Sequence, residues 1–301
     1  MEINIKNNKM KNLLNKKSFN IFLVSLSGIL WGLIGLFTTP LKSAGIDSVS
    51  VIAVRSTLTA IMLGVILLIF DKKLFKIRLC DLWQFIGMGI VSFAFFNICY
   101  LKSMELNNSL GTACILMYTA PIFIMLLSAI LFKEKITPLK IICLILATLG
   151  CTLISGGGRV TPLGFIFGLG SGIGYGLYSI FSIYALRKYS FLTATFYAFC
   201  FSAVGLALFC DWDKVIHSVS LDYSIALLFL GLAALITVLP YIIYTCGLRV
   251  VPASEASVIA CVEPIVAALV GLMFYEQTMG ISGLIGMGLI LSAVVILSYK
   301  K

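Results

Sequence analysis

The chain is 301 residues long, 60% hydrophobic and 11% charged, with a mean hydropathy of +1.10. Soluble domains carry about 25% charged residues, so this composition excludes one and reads as a polytopic membrane protein whose partner is the lipid bilayer. The net charge of +10 does not indicate nucleic acid, because almost every lysine and arginine sits at the end of an apolar run.

In chain order, residues 1–18 carry Lys6, Lys9, Lys11, Lys16 and Lys17 among asparagines, and are expected to form a flexible cytoplasmic tail. A signal peptide is the competing reading. The run from Phe19 to Thr39 is too long for its apolar core, and no A-x-A site follows. Ten apolar runs of spanning length come next, near 19–40, 49–70, 82–101, 109–132, 138–155, 163–186, 191–210, 223–246, 252–275 and 280–299. The predicted fold class is an all-α integral membrane protein with ten transmembrane helices and short connections. Lysine and arginine placement sets the orientation. With both termini inside, 17 of the 22 basic residues lie in inner connections. Lys42, Lys102, Arg159 and Lys214 lie outside, and Arg55 lies within the second run.

Individual residues stand out against the apolar runs. Arg55 lies about seven residues from the outer end of its run, roughly 10 Å deep at 1.5 Å per residue. Its stem is long enough to snorkel to the outer headgroups; the alternative is a charge with a coupling or structural role. Asn97 is deep enough in the third run to need a hydrogen-bond partner, and Tyr100 follows three positions later. Pro240 is expected to kink the eighth run. Tyr241 and Tyr244 share a face there, and Tyr244 reads equally as an interfacial anchor or as cavity lining. Gly164, Gly168, Gly172 and Gly176 recur every four residues along the sixth run, a face where helix backbones approach closely.

The ninth run is the most unusual. Glu263 comes eleven residues after Pro252, roughly 16 Å along a helix and so near the midplane. Pro264 follows directly and breaks the helical ladder. A carboxylate at that depth is costly unless it faces protein or water. It is expected to bind a proton, to hold a substrate amine, or to act as a structural acid reaching a carbonyl freed by Pro264.

The chain is also written twice. Ser27-Gly28-Ile29-Leu30-Trp31-Gly32 is echoed by Ser171-Gly172-Ile173-Gly174-Tyr175-Gly176, 144 positions later. Tyr100 and Tyr244 share that offset, and Pro121 with Pro264 and Ser155 with Ser298 are 143 apart. The repeats are expected to cover 19–155 and 163–299. Each holds five runs, so the second enters the bilayer from the opposite side, which makes the pair an inverted repeat about an axis in the membrane plane. Arg55 and Glu263 break the symmetry, since Phe199 and Ala120 occupy their counterpart positions.

Enzyme chemistry has little to work with. The nine cysteines include no CxxC, and most sit inside apolar runs. His217 is the one histidine and lies in a polar connection. There is neither an HExxH nor a GxxxxGK[ST] motif. No metal, cofactor, ATP or catalytic set is therefore expected.

The two five-run halves, the paired glycine openings, Pro121 with Glu134, and Glu263-Pro264 with Glu276 together give a pattern that resembles the EamA family of the drug/metabolite transporter superfamily. The resemblance covers residues 19 to 299. It implies a secondary transporter of the bacterial inner membrane, often an exporter of amino acids or other small metabolites. It also implies a central cavity formed by the first, third, fourth, sixth, eighth and ninth runs. In this chain that brings Trp31, Asn97, Tyr100, Tyr118, Tyr175, Tyr178, Tyr244 and Glu263 toward a small-molecule substrate. Substrates vary within the family, so the likeness sets a class of function and not a solute. A passive channel or a lipid-handling protein of the same architecture is the alternative.

Overall fold

Each apolar run forms a helix in the computed structural model, which describes residues 16–299 except 157, 159, 277 and 279. The spans are α1 Lys17–Ser43, α2 Ser48–Phe70, α3 Leu79–Asn107, α4 Leu110–Phe132, α5 Pro138–Ser155 and α6 Pro162–Leu186. They continue as α7 Phe191–Ala207, α8 Tyr223–Gly247, α9 Ala253–Phe274 and α10 Ile281–Tyr299. No strand occurs among the described residues. Local chemistry sets the starts. Thr137 and Thr161 each cap a helix through the side-chain oxygen, with Pro138 and Pro162 at the first helical position. The tail expected over 1–18 lies mostly outside the described residues, as do Arg159, Lys300 and Lys301.

The seventh span differs from its predicted extent of 191–210. Helix α7 ends at Ala207, and the chain turns through 101° into a short helix, Trp212–Leu221. Val215 of that helix is buried while Ile216 and Leu221 stay exposed, the pattern of a segment lying along an interface.

Packing is chiefly between the two halves of the chain. The largest interfaces are α5 with α10, α3 with α6, α2 with α7 and α1 with α8. A two-fold that exchanges α1–α5 with α6–α10 maps the first and third pairs onto themselves and exchanges the other two. Because each half has an odd number of spans, that axis lies in the membrane plane. Lipid supplies no hydrophobic drive for helices to associate, so close backbone approach matters more. Gly150 and Gly286 show how close: a Cβ on either would lie 2.6 Å from the other's carbonyl oxygen.

The irregularities repeat as well. Helix α4 breaks after Met117 and resumes at Ala120; α9 breaks after Ala260 and resumes at Glu263. Pro121 and Pro264 therefore sit in the first turn of a new helix, where a missing N–H costs nothing. The kink expected at Pro240 takes another form. Residues Ala234–Val238 widen into a π turn and the helix continues through Pro240 from Leu239. Helix α3 carries the matching π segment over Gly87–Ala94. Helix α1 is broken at Leu33-Ile34, whereas its counterpart α6 runs unbroken.

Candidate functional site

The repeats meet on an aromatic box. Trp31 of α1 stands at its middle, 5.1 Å from the Tyr241 ring, 5.2 Å from Tyr244 and 6.5 Å from Tyr175. Tyr178 lies 5.0 Å from Tyr241, and Phe96 packs edge-on to Tyr175 at 5.3 Å. The rings line a partly open cavity of about 20 Å³, completed by Phe93, Ser92 and Ser179. That is room for about one water, so any larger solute requires the rings to part. The walls come from α1, α3, α6 and α8; α4 and α9 do not line it.

Most of the polar atoms here are already paired. Tyr244 Oη and Ser179 Oγ are 2.8 Å apart, and Tyr178 Oη and Thr245 Oγ1 are 3.1 Å apart. Ser92 Oγ donates to the Gly174 carbonyl at 2.7 Å. The indole Nε1 of Trp31 has no acceptor among the described residues. Tyr175 bridges the box to α9, donating from Oη to Glu263 Oε2 at 3.3 Å. Glu263 is half-buried and opens the second half of its broken span. There the positive end of the half-helix favours a carboxylate. Its hydrogen-bond partner among the described residues is thus on another helix; the carbonyl freed at the break does not receive it.

Of the predicted site residues, Trp31, Tyr175, Tyr178 and Tyr244 meet at the cavity. For Tyr244 this decides between lining and interfacial anchoring, since it is only 3% exposed. Glu263 joins through Tyr175. Three others do not line this cavity. Asn97 donates back to the Phe93 carbonyl at 2.8 Å, one turn earlier on its own helix. Tyr100 Oη pairs with Cys114 Sγ at 3.1 Å. Tyr118 is buried against α5 and α9 in a cluster that holds Cys151 and Cys261. The snorkelling expected of Arg55 does not occur. Arg55 is 6% exposed, and its guanidinium carbon lies 5.1 Å from the centre of the Phe93 ring. The lining residues that sequence reasoning missed are Ser92, Phe93, Phe96, Ser179 and Tyr241; the only signal for any of them was that Tyr241 shares a face with Tyr244.

Each face of the bundle is tied by a different chemistry. On the face rich in lysine and arginine, Lys140 Nζ lies 2.9 Å from Ser254 Oγ, 3.5 Å from Glu134 and 3.6 Å from Glu255. Lys17 pairs with Glu255 at 2.9 Å, and Ser254 donates to Glu134. These bonds hold the start of α9 to α1, α4 and α5. Nearby, Asp81 joins α3 to the α6–α7 turn through Lys188 at 2.6 Å and Tyr189 at 2.7 Å. On the opposite face the ties between α3 and α6 are neutral. Asn107 Oδ1 accepts from Thr161 N at 2.8 Å, and Ser103 Oγ donates to the Gly164 carbonyl at 2.8 Å.

Comparisons with known proteins agree with this architecture. The model of the EamA-like transporter family matches the chain twice, over residues 18–156 and 162–299. An uncharacterized transporter of Archaeoglobus fulgidus is 28% identical over 89% of this chain and 95% of its own length. The uncharacterized transporter YdfC of Bacillus subtilis is 27% identical over 80% of each chain. A solved crystal structure superposes with a TM-score of 0.75, covering 93% of this chain and 96% of that one; at 16% identity this is a likeness of fold. The double match, which covers nearly the whole chain, places it in the EamA-like transporter family, and its nine helices of spanning length among the described residues, ten if the bent pair at 191–221 counts as one, make it a multi-pass membrane protein.

Proposed function

We propose that the protein is a secondary transporter that exports amino acids or similarly small polar metabolites by alternating access. The repeats, 19–155 and 163–299, would be the moving units. The membrane is the bacterial inner membrane, with both termini cytoplasmic. The observation that carries this reading is the aromatic box at the meeting of the repeats, hydrogen-bonded to a carboxylate on a broken span. Broken helices at membrane depth are tolerated where they face protein or a cavity, and they recur at transporter binding sites. Aromatic rings hold apolar groups while tyrosine hydroxyls hold polar ones. The main alternative, a passive channel, is disfavoured by a box nearly filled with its own rings. The ion-paired and neutral ties at the two faces suit gates that open in turn.

Overexpression is expected to raise tolerance to at least one L-amino acid or toxic analogue and to lower its level inside the cell. Unchanged tolerance across the whole panel, with the protein present in the membrane, refutes amino-acid export. Orientation has its own test, motivated by the basic residues of 71–81 and the acidic ones of 211–222. Single cysteines at Lys73 and Ser218, in a background without reactive native cysteines, are exposed to an impermeant thiol reagent on intact cells. Ser218→Cys is expected to label and Lys73→Cys is not; the reverse pattern overturns the orientation.

A further inference from the structure

Two strong donors near the box lack acceptors among the described residues. Trp31 Nε1 and Arg55 Nε are both buried without a hydrogen-bond partner among the described residues. Buried polar groups are almost always paired, so each exception calls for an explanation. Neither donor can escape by changing state: indole N–H is donor only, and guanidinium stays charged at any ordinary pH. Among the described residues no acid lies within ion-pair distance of Arg55. The Phe93 ring beneath it offers a cation–π contact, which does not use the planar N–H edge of the guanidinium.

Trp31 lines the space a solute would enter, and Arg55 is close behind it. Arg55 lies one ring behind the wall, stacked on Phe93, which lines the cavity. The Tyr241 ring connects the two, 5.7 Å from Phe93 and 5.1 Å from Trp31. Because the cavity of about 20 Å³ must widen to admit any metabolite, movement of Phe93 is the change that would bring Arg55 to it.

We propose that Arg55 is a carboxylate-binding subsite for the transported solute, its guanidinium fork gripping both oxygens. A carboxylate matches the planar fork in a bidentate way. It also neutralises the buried cation during transport. A more highly charged anion fits less well, because Glu263 places a second carboxylate at the same box through Tyr175. The inference rests on the transporter reading only in taking the box as the solute site.

The test is calorimetric titration of the purified full-length protein in detergent. The probes are free L-amino acids, each beside its carboxamide, then acetate, lactate and benzoate beside their amides, and inorganic phosphate. At least one carboxylate is expected to bind wild type at least about tenfold tighter than its amide. Arg55→Gln is expected to erase that preference. Arg55→Lys keeps the charge without the fork, and should weaken acid binding several-fold while leaving amide binding alone. A merely structural arginine would change thermal stability and leave the acid-to-amide ratio intact. The proposal is overturned if no carboxylate binds wild type, or if phosphate alone does. Equal binding of acid and amide, a preference that survives Arg55→Gln, or wild-type acid affinity in Arg55→Lys also overturns it. If simple monocarboxylates bind through Arg55 and amino acids do not, amino-acid export falls while this subsite stands.

Discussion

Glu263→Gln is expected to fold and reach the membrane like wild type while losing at least about tenfold in transport, a change of about 1.4 kcal/mol. The isosteric amide still accepts the 3.3 Å hydrogen bond from Tyr175, so the link between α6 and α9 survives. What it lacks is charge and the ability to exchange a proton. A carboxylate at this depth is costly to keep unless its ionisation is used. If Glu263 exchanges a proton for solute, the pH dependence of transport disappears in Glu263→Gln. If it holds a solute amine, apparent affinity falls and the pH profile changes little. Tyr175→Phe separates the bridge from the acid: it keeps the edge-on packing against Phe96 and removes only the donor, so a smaller loss is expected. The measurement is flux of the exported solute across proteoliposomes between acid and alkaline pH, beside thermal unfolding. Wild-type flux and pH profile in Glu263→Gln would leave a purely structural acid.

Gly32→Ala is the second large effect, because one methyl group there meets the broken span. A Cβ at Gly32 would lie 2.7 Å from the Glu263 carbonyl oxygen and 2.6 Å from Val266 Cβ. Neither is the free end of a flexible side chain, so α1 and α9 must separate. Overpacking of this kind costs about 1–3 kcal/mol. It also displaces Glu263 relative to Trp31, one residue before the glycine. The same substitution at Gly35, on the far side of the α1 break, meets nothing within 4 Å. Gly35→Ala is therefore expected to be neutral or slightly stabilising, since alanine gives up less backbone entropy in a helix. Thermal unfolding and flux should fall together for Gly32→Ala and hold for Gly35→Ala. Equal behaviour of the two proteins would remove the close approach as the reason for glycine at 32.

The features readable in the sequence were those fixed along one stretch of chain. Ten apolar lengths gave ten helices, because backbone polar groups in lipid must be satisfied within a segment. The offset of 143–144 marked the repeat and the positions of the paired breaks, since proline acts on its own turn. The family could be recognised from the same marks. Cavity membership was a different kind of question. Helices apolar on every side carry no polar stripe to tell lining from lipid. Thus Tyr178 and Tyr244 were identified as lining on the same grounds as Tyr100 and Tyr118, which do not line this cavity.

Two structural events decided the difference. The π segment Gly87–Ala94 spaces its hydrogen bonds five residues apart, which changes the angular register of everything beyond it on α3. Ser92, Phe93 and Phe96 line the box, while Asn97 bonds to its own helix. Packing between separate helices then supplied neighbours 38 and 88 residues away in sequence. It set Arg55 over Phe93 and away from the headgroups, and it turned Glu263 toward Tyr175. The local sequence set the cost of burying each of those charges; only the packing of separate helices determined which group each would face.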